Sequence, residues 1–562
     1  MIVDLATATT PAPDYDVCIV GSGPAGMTAA RELSEAPLRI CVLESGRLKT
    51  TELGDRLRKV KSDGIVIKDY SRERVLGGAS TTWAGLSSPL DEIDMNDRPY
   101  LQHSGWPIRR SELFEYYAIA AERYRFPTAA EFESGGFDTL RAQSQLQPRW
   151  TDIHEKVFLA SSEPQNFGKE HKQIFERENV NLYLDATVLR LETNKNRSDV
   201  ERAVVRTSAG QEFNFHAKIF IIATGGIENA RLLLMSRDAC DRGLGNEHDA
   251  VGRYFMNHPK NYYGVLTLTK AVTDAAYYFG CIRGSHAGYA GLRLQESIQR
   301  ERKLLNSYVR FEPLFPWSGS TGVESLVTIV KRSKFVMSRF KGKNKGKVIT
   351  LRDYSETGDD SDLQNERKTA ASWLGLGWNV LADSPRVARY GYSRLLQKRQ
   401  PKITTVRLRN FMEMEPVAEN RVILTNERDV FGSEIPLVRH RATELDRRSI
   451  VALHQTLQKE FPASGLGTFI TDLPSIRADE PWPLDQDASH HMGTTRMGGD
   501  PATSVVDSNC RVHSAKNLYM AGASVFPTSG CANPTFTITA LSIRLAKHLL
   551  TEVFKTKMQQ NA

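Results

Sequence analysis

Residues Asp14 to Gly46 read DYDVCIVGSGPAGMTAARELSEAPLRICVLESG, and this stretch predicts a strand, a glycine turn, a helix and a second strand. Tyr15 to Val20 is apolar and β-branched, as in a buried parallel strand, and it runs into the G-x-G-x-x-G turn Gly21 to Gly26. In such a turn the first glycine allows the bend, the second lets backbone approach a pyrophosphate, and the third lets the following helix pack on the strand. The helix, predicted from Met27 to Leu33, then points its N-terminus at the phosphates.

The second strand, Leu38 to Leu43, ends in Glu44 and Ser45. A carboxylate about 20 residues beyond the turn can hydrogen-bond a ribose hydroxyl, and its charge disfavours a 2′-phosphate. Strand, turn, helix and acid together predict a dinucleotide site, whereas the glycine pattern alone would be a weak signal.

Bulk properties narrow the class of protein. A chain of 562 residues is too long for one hydrophobic core and predicts two or more domains. It contains no run of eighteen apolar residues, so no transmembrane helix is expected. The N-terminus, MIVDLATATTPAPD, lacks the basic and apolar regions of a signal peptide, and the six cysteines are scattered, which predicts reduced thiols and a cytoplasmic protein.

Two smaller features have plain interpretations. The net charge of +8 is concentrated in the basic segment Lys331 to Lys347, KRSKFVMSRFKGKNKGK, which is favoured as a solvated loop. Binding of nucleic acid or of an anionic membrane by this segment is the alternative, but the segment has no aromatic side chains arranged for stacking and no recognised binding module. No nucleic-acid partner is expected. Cys510 and His513 have C-x-x-H spacing but too few ligands for zinc, so no metal site is predicted.

The order of patterns predicts a discontinuous fold. Strand-like Val180 to Leu184 and Lys218 to Ile222 resume the α/β pattern after a stretch of amphipathic helices and aromatics that lacks strand-helix alternation. We therefore predict an α/β fold in which a Rossmann-like nucleotide domain comprises residues 14–95, 180–260 and 489–556. A second, α+β domain comprises residues 96–179 and 261–488 and carries the substrate side of the pocket.

Two further segments carry candidate chemistry. The loop from Arg72 to Gly85 contains paired glycines followed by hydroxyls, which suit phosphate and a ring. Near the C-terminus, His490-His491-Met492-Gly493-Thr494 is followed by Asn533-Pro534, a pair suited to the start of a helix over Ile538 to Leu550.

Taken together, these motifs resemble the glucose-methanol-choline (GMC) family of FAD-dependent oxidoreductases. The resemblance rests on the glycine turn with Glu44, the R-x-R-x-L-G-G-x-S loop, Gly252-Arg253 to His258-Pro259, and H-x-x-G-T with Asn533-Pro534 downstream. It implies FAD as cofactor and a catalytic pair at His490 and Asn533. By the same resemblance the cofactor contacts are Gly21, Ser22, Gly23, Pro24, Ala25, Gly26, Glu44, Ser45, Arg74, Gly77, Gly78, Ser80, Thr82, Trp83, Ala84, Val188, Ala223, Gly225, Ala523, Ser524, Pro534 and Thr535.

The wording of two motifs, Ser80-Thr81-Thr82-Trp83 and HHMGTTRMG, is similar to that of pyranose oxidases and bacterial sugar or glycoside dehydrogenases. Pyranose oxidases carry a histidine before the tryptophan that bonds to the flavin, and Thr82 takes that place here. The resemblance therefore implies non-covalent FAD and a sugar or glycoside substrate whose hydroxyl is oxidised to a carbonyl, with oxygen or another compound as electron acceptor.

Imidazole suits the proton-accepting step because its pKa of ~6.5 lies near working pH, so His490 is the expected base. Asn533 is expected to hold the substrate oxygen, and His491 to support the site or face the cofactor. Other hypotheses stay open: oxidation of a non-sugar alcohol or of a primary alcohol on an aminosugar, a flavoprotein subunit without turnover, or a nicotinamide-dependent dehydrogenase. The sugar, the carbon oxidised, the acceptor and the oligomeric state are not identified by the sequence.

Overall fold

The fold is described from a computed structural model. It describes residues 1–8, 13–133, 138–161, 163–273, 275–283, 286–332, 373–395, 402–475 and 489–555. The sequence analysis favours a solvated loop for the basic segment Lys331 to Lys347. From position 333 onward this segment lies outside the described residues.

The opening unit forms as its sequence predicts. Strand β2 (Tyr15–Val20) leads into helix α1 (Pro24–Leu33), and strand β3 (Ile40–Leu43) follows. The helix begins three residues before the predicted Met27, because Pro24 has the backbone angle of a first helical residue and no N–H to satisfy.

The first sheet is mostly parallel. Its order is β1-β6-β3-β2-β9-β8-β7, with β19 pairing β9 on the other side. Its remaining strands are β1 (Ile2–Asp4), β6 (Val180–Leu184), β7 (Thr187–Thr193), β8 (Val200–Arg206), β9 (Glu212–Ile222) and β19 (Leu518–Met520). Strands β7, β8 and β9 pair antiparallel. The α/β fold class with a Rossmann-like cofactor domain is confirmed.

Strands of this sheet come from the beginning, the middle and the end of the chain, as a discontinuous domain requires. Helix α8 (Gly226–Met235) follows β9, and the C-terminal helix α15 (Thr535–His548) packs on α1. The exact domain boundaries stay a prediction.

A second, antiparallel sheet has the order β12-β13-β14-β15-β11-β18, with β5 on β13 and β10 on β15. Its strands are β5 (Ile153–Ser161), β10 (Lys260–Asn261), β11 (Val265–Val272), β12 (Cys281–Arg283), β13 (His286–Leu294), β14 (Tyr308–Leu314), β15 (Ile403–Phe411) and β18 (Gly467–Ile470). The pattern analysis did not predict β5, because its apolar residues cluster at one end instead of alternating along the strand. A small sheet joins β16 (Arg421–Arg428), β17 (Glu434–Arg439) and β4 (Lys61–Asp63).

The other helices cover both sheets and their connections. They are α2 (Glu52–Leu57), α3 (Glu92–Met95), α4 (Phe114–Tyr124), α5 (Ala129–Glu133), α6 (Asp138–Gln143), α7 (Phe167–Glu170), α9 (Ala276–Phe279), α10 (Glu296–Arg302), α11 (Thr321–Arg332), α12 (Trp373–Ala382), α13 (Ser384–Leu395) and α14 (Glu444–Ala463). Within the described ranges, no helix combines the length and the apolarity that crossing a bilayer requires. The described thiols Cys18, Cys41, Cys240, Cys510 and Cys531 are free.

Candidate active site

A cleft opens at the carboxyl ends of β2, β3 and β9, where dinucleotides bind in doubly wound folds. Helix N-termini and glycine turns surround it. It brings together His490 and most of the residues expected at the cofactor: Gly21, Ser22, Gly23, Pro24, Ala25, Glu44, Ser45, Arg74, Gly78, Val188, Ala223, Gly225, Ala523, Pro534 and Thr535.

The three glycines of the turn have different surroundings. A Cβ on Gly21, whose φ is +98°, would lie 2.6 Å from the carbonyl oxygen of Ala223, and one on Gly26 would lie 2.0 Å from that of Gly21. A Cβ on Gly23 would meet no protein atom within 4 Å. The fold itself therefore requires Gly21 and Gly26, whereas the open space beside Gly23 suits close approach of a ligand, as the FAD pyrophosphate needs.

Glu44 lines the same cleft at the end of β3. Its carboxylate accepts hydrogen bonds from the Ser22 N–H at 3.1 Å, the Ser22 hydroxyl at 2.6 Å and the Gly46 N–H at 2.7 Å. Burial raises the pKa of Glu44, although these donors oppose that shift. The contacts hold the glycine turn and the acid in one fixed arrangement.

A buried charge cluster that the sequence analysis missed lines the cleft beside Arg74. Glu228 pairs with Arg72, with Arg74 at 2.9 Å and with Arg231 at 3.2 Å, and Arg231 also pairs with Asp429 at 2.7 Å. Burial alone would raise the pKa of Glu228, but the arginines hold it down at about 2. Three cations face two carboxylates, so the cluster has the sign of charge that a pyrophosphate requires. In the sequence, only the R-x-R spacing of Arg72 and Arg74 indicates this cluster.

His490 faces a second histidine across the site. Met256 and Met492 pair in an antiparallel bridge, and continuing that register by two residues places His258 opposite His490. Their Nδ1 atoms are 3.0 Å apart. The side-chain oxygen of Asn257 accepts from the backbone N–H of both histidines, at 2.8 and 3.1 Å.

The surroundings of His258 decide which nitrogen carries its proton. Its Nε2 lies 3.3 Å from the carbonyl oxygen of Ser529, which can only accept, so Nε2 carries the hydrogen. Burial lowers the pKa of His258 to about 4, so the ring is neutral at pH 7 and its Nδ1 has a lone pair. That lone pair accepts the Nδ1–H of His490, which leaves Nε2 of neutral His490 without a proton. His258 belongs to the motif Gly252-Arg253 to His258-Pro259, but its role was not predicted from the sequence.

A buried ion pair fixes the turn before Asn533. Glu413 accepts from Arg98 at 2.9 and 2.6 Å and from the Gly530 N–H at 3.2 Å, and both charged side chains are fully buried. Burial alone would raise the pKa of Glu413, but Arg98 and the backbone donors lower it. Since removing one partner of a buried pair costs about 3–5 kcal/mol, the turn is strongly held.

The second sheet meets this turn through aromatic rings. Phe158 stacks on Tyr308 at 4.3 Å and on Tyr289 at 5.3 Å, and these side chains pack in one cluster with Cys531. Cys531 precedes Asn533 by two residues. The antiparallel sheet therefore packs against the segment that carries Asn533.

His491 lies on the cofactor side, as one of its two expected roles requires. Its ring stacks on Phe255 at 5.9 Å and lines the cleft. Its backbone oxygen lies so near Gly226 that a Cβ there would approach to 2.1 Å.

Other expected site residues are not among those that line the dinucleotide cleft, within the part of the chain that the structure describes. Gly77 donates its N–H to the Ser22 carbonyl at 3.1 Å, and Ser80 is buried beneath it. Trp83 donates to the Gln165 carbonyl at 2.6 Å. The remaining members of this group are Gly26, Thr82, Ala84, Ser524 and Asn533.

Thr82 is exposed, and its hydroxyl lies 3.2 Å from the Tyr70 carbonyl oxygen and 3.3 Å from that of Ala79. Ser524 is buried and receives hydrogen bonds from Asn229 at 2.8 Å and Thr495 at 2.7 Å. Asn533 is half-buried one residue before the N-cap of α15.

The two residues of the C-x-x-H pair, Cys510 and His513, lie in the described part of the chain. His513 Nε2 lies 2.9 Å from the Ser504 hydroxyl, and Cys510 is buried. No group of potential metal ligands occurs among the residues that the structure describes.

Comparison with protein families adds to this geometry. A model described as GMC oxidoreductase matches residues 416–542, and one described as FAD dependent oxidoreductase matches residues 16–239. The C-terminal part of the chain therefore matches the GMC oxidoreductases, the family recognised from the motifs, and the N-terminal part matches FAD dependent oxidoreductases.

Several curated proteins are similar to this chain. Paromamine 6′-oxidase of Streptomyces fradiae is 23% identical over 95% of this chain and 91% of its own length. The fructose dehydrogenase large subunit of Gluconobacter japonicus is 25% identical over 60% of this chain, and the match spans 48% of that protein. Pyranose 2-oxidase of Lyophyllum shimeji is 32% identical over 26% of this chain and 22% of its own.

Solved structures share the fold. A structure of Aspergillus oryzae RIB40 formate oxidase, solved to follow the effect of a mutation on FAD modification, has a TM-score of 0.53 and 17% identity. It covers 97% of this chain and 100% of its own. At this identity the likeness is one of fold.

Proposed function

We propose that this protein, as a GMC oxidoreductase, oxidises a hydroxyl group of a sugar or glycoside to the carbonyl. FAD, held by the residues that line the dinucleotide cleft, would supply the acceptor for the hydride of the substrate carbon, and His490 would take the hydroxyl proton. The names of the relatives, which include oxidases and a dehydrogenase of sugars and an aminosugar, support this substrate class. The observation that carries the mechanism is the His258–His490 contact beside the dinucleotide cleft.

In this proposal the glycine turn and the N-terminus of α1 hold the FAD pyrophosphate beside Gly23. Glu44 binds the ribose of the adenosine half, and Arg74 belongs to the cationic cluster that balances the phosphates. When bound, the flavin supplies the two-electron acceptor for the hydride. The chain supplies binding, orientation and the base.

His490 is suited to the proton transfer because its tautomer is fixed. His258 accepts the Nδ1–H of His490, so Nε2 is the nitrogen of neutral His490 that carries no hydrogen, and its lone pair takes the proton of the substrate O–H. When Nε2 takes the proton, the resulting imidazolium still donates through Nδ1 to neutral His258. Asn533, on a turn held by Glu413, donates its side-chain N–H to the substrate oxygen and so orients the carbon that loses hydride.

We further propose that FAD is held without a covalent bond, because Thr82 has no imidazole nitrogen and its hydroxyl is engaged with backbone carbonyls. The division into a cofactor domain and a substrate domain fits the two sheets, with the aromatic cluster of Phe158, Tyr289 and Tyr308 on the substrate side. The free thiols support a reducing, cytoplasmic environment.

The test is anaerobic reduction of the bound flavin by a panel of free sugars, glycosides, aminosugars and simple alcohols. We expect the 450 nm flavin band to bleach with at least one sugar or glycoside, and the same compound to turn over with oxygen or an artificial acceptor. Bleaching only by non-sugar alcohols would contradict the substrate class. No bleaching by any member, with FAD bound, would favour a flavoprotein without turnover.

A further inference from the structure

Helix α12 presents an apolar stripe to solvent. Leu374, Trp378 and Leu381 are 86%, 71% and 69% exposed, and their spacing of four and three residues places them on one face. Trp373, at the start of the helix, is 59% exposed. A contiguous apolar patch on a folded surface marks an interaction site more often than a single exposed leucine does.

The stripe is not the inner face of the helix. On its other side α12 packs on α11, where Leu376 is buried and the Asn379 side chain donates to the Ser325 hydroxyl at 3.1 Å. The Ser320 hydroxyl donates to Asp383, and a Cβ on Gly322 would lie 2.8 Å from the Asn379 carbonyl oxygen. Close packing and buried polar contacts fix which face points outward.

Helix α13 fastens the same unit to the second sheet. Its Tyr390 ring meets Trp317 edge-on at 5.7 Å, shortly after the end of β14. The stripe therefore belongs to a three-helix unit, α11 to α13, and this unit is attached beside the antiparallel sheet.

The helix that follows the stripe along the chain is basic. Helix α13 begins two residues after α12 ends, and it contains Arg386 and Arg389 and no acidic residue. Start-to-end contacts between α11 and α12 show that these two helices run antiparallel. The apolar stripe and the arginines of α13 therefore belong to the same helical unit.

We propose that the exposed face of α12 inserts into the headgroup region of a bilayer that contains anionic lipids. Tryptophan and leucine beside arginines are the composition of an interfacial helix, in which apolar side chains enter the acyl boundary and cations meet lipid phosphates. Ten residues of helix extend about 15 Å, too short to span and suited to lying in the membrane plane. A second copy of the chain is a less suitable partner for the stripe, because a two-fold contact would bring the arginines of the two copies together. Nucleic acid offers no apolar surface for leucines.

The experiment is co-sedimentation of the FAD-loaded, full-length enzyme with vesicles of phosphatidylcholine alone or with phosphatidylglycerol at equal parts. We expect binding to the mixed vesicles and little to the neutral ones. Leu374→Ser with Trp378→Ser should weaken the vesicle partition coefficient by roughly tenfold or more, because two large apolar side chains no longer leave water. Arg386→Gln with Arg389→Gln should weaken it by roughly tenfold, since each cation near an anionic surface contributes.

Ile470→Ser is the matched control, because Ile470 is 70% exposed on β18, outside the helical unit, and its loss should leave partition unchanged. Turnover of the variants should equal that of the wild type, which separates this proposal from the catalytic one. Absence of binding to mixed vesicles would overturn it, as would equal binding to neutral ones. A concentration-dependent dimer in sedimentation velocity that Leu374→Ser with Trp378→Ser abolishes would assign the stripe to a second copy instead.

Discussion

Nδ1 of His258 lies 3.0 Å from Nδ1 of His490, although 232 residues separate the two histidines in the chain. Because the Ser529 carbonyl takes the Nε2–H of His258, this contact determines which nitrogen of neutral His490 carries the hydrogen and which can act as the base. The relationship makes His258 a positioning residue for the proposed reaction, and it leads to two of the predictions.

Replacing His490 removes the proposed base. We expect His490→Ala to slow anaerobic flavin reduction by ~10²–10⁴-fold while FAD stays bound, as is typical for loss of a general base. Stopped-flow absorbance at 450 nm measures this step apart from reoxidation. His491→Ala is the control, and a large loss there beside an unchanged rate in His490→Ala would transfer the role to His491.

Replacing His258 should slow flavin reduction less than replacing His490 does, and a substitute side chain that accepts a hydrogen bond should restore part of the rate. We expect His258→Ala to slow flavin reduction by up to about tenfold, the value of one hydrogen bond that orients the base. In His258→Asn the amide oxygen can accept the Nδ1–H of His490, so the rate should lie between those of His258→Ala and the wild type. Equal rates in the two variants would contradict the orienting role, because a loss of packing alone does not depend on an acceptor atom.

The two glycines Gly23 and Gly26 should separate cofactor binding from folding. Gly23→Val places a side chain where only ligand is expected, so the protein should fold with its normal melting temperature in the absence of FAD but bind much less FAD. Gly26→Ala, whose Cβ would lie 2.0 Å from the Gly21 carbonyl oxygen, should lower the melting temperature of the apoprotein. The FAD-to-protein ratio and differential scanning calorimetry check both. Full flavin occupancy in Gly23→Val would refute the assignment of the turn.

The proposed non-covalent attachment predicts that flavin leaves the denatured chain. Acid precipitation or heat should release free FAD into the supernatant, because Thr82 cannot form the histidyl bond of pyranose oxidases. Yellow colour that stays with the precipitated polypeptide would show covalent attachment at another residue.

Asp94 should make stability depend on pH. Its buried carboxylate accepts from Asn306 at 2.8 Å, and burial, with Asp91 and Glu413 nearby, raises its pKa from 3.8 to about 7. A raised pKa stabilises the folded protein below pH 3.8, and that contribution is lost as pH rises towards 7. Between pH 4 and 7 the wild type should therefore lose stability relative to Asp94→Asn, by a few kcal/mol in total.

Urea unfolding of both proteins across this pH range measures the difference between them. The same measurement on Asp446→Asn is a comparison, because burial also raises the pKa of Asp446 to about 7 and Asp446 lies apart from Asp91, Asp94 and Glu413. A constant difference in unfolding free energy between wild type and Asp94→Asn would show that Asp94 stays ionised.

The sequence by itself determined the local units of this protein. The turn Gly21–Gly26, the strands on either side of α1 and the start of α15 near Pro534 depend on a few neighbouring residues, whose backbone preferences act in almost any fold. The order of several such motifs along the chain then sufficed to recognise the family, and the alternation of patterns predicted a discontinuous α/β domain.

Only the tertiary structure decided which residues from distant segments contact each other. The pairing of His258 with His490 depends on the register between two distant segments, and the cluster of Arg72, Glu228 and Asp429 joins three separate regions. Strand β5 is recognised only through its partner β13. The segment WLGLGWNVLA shows the same limit, since an apolar helix has the same sequence whether it fills a core or lies exposed. Long-range packing chooses between these states, because burial depends on the surface that another part of the chain offers.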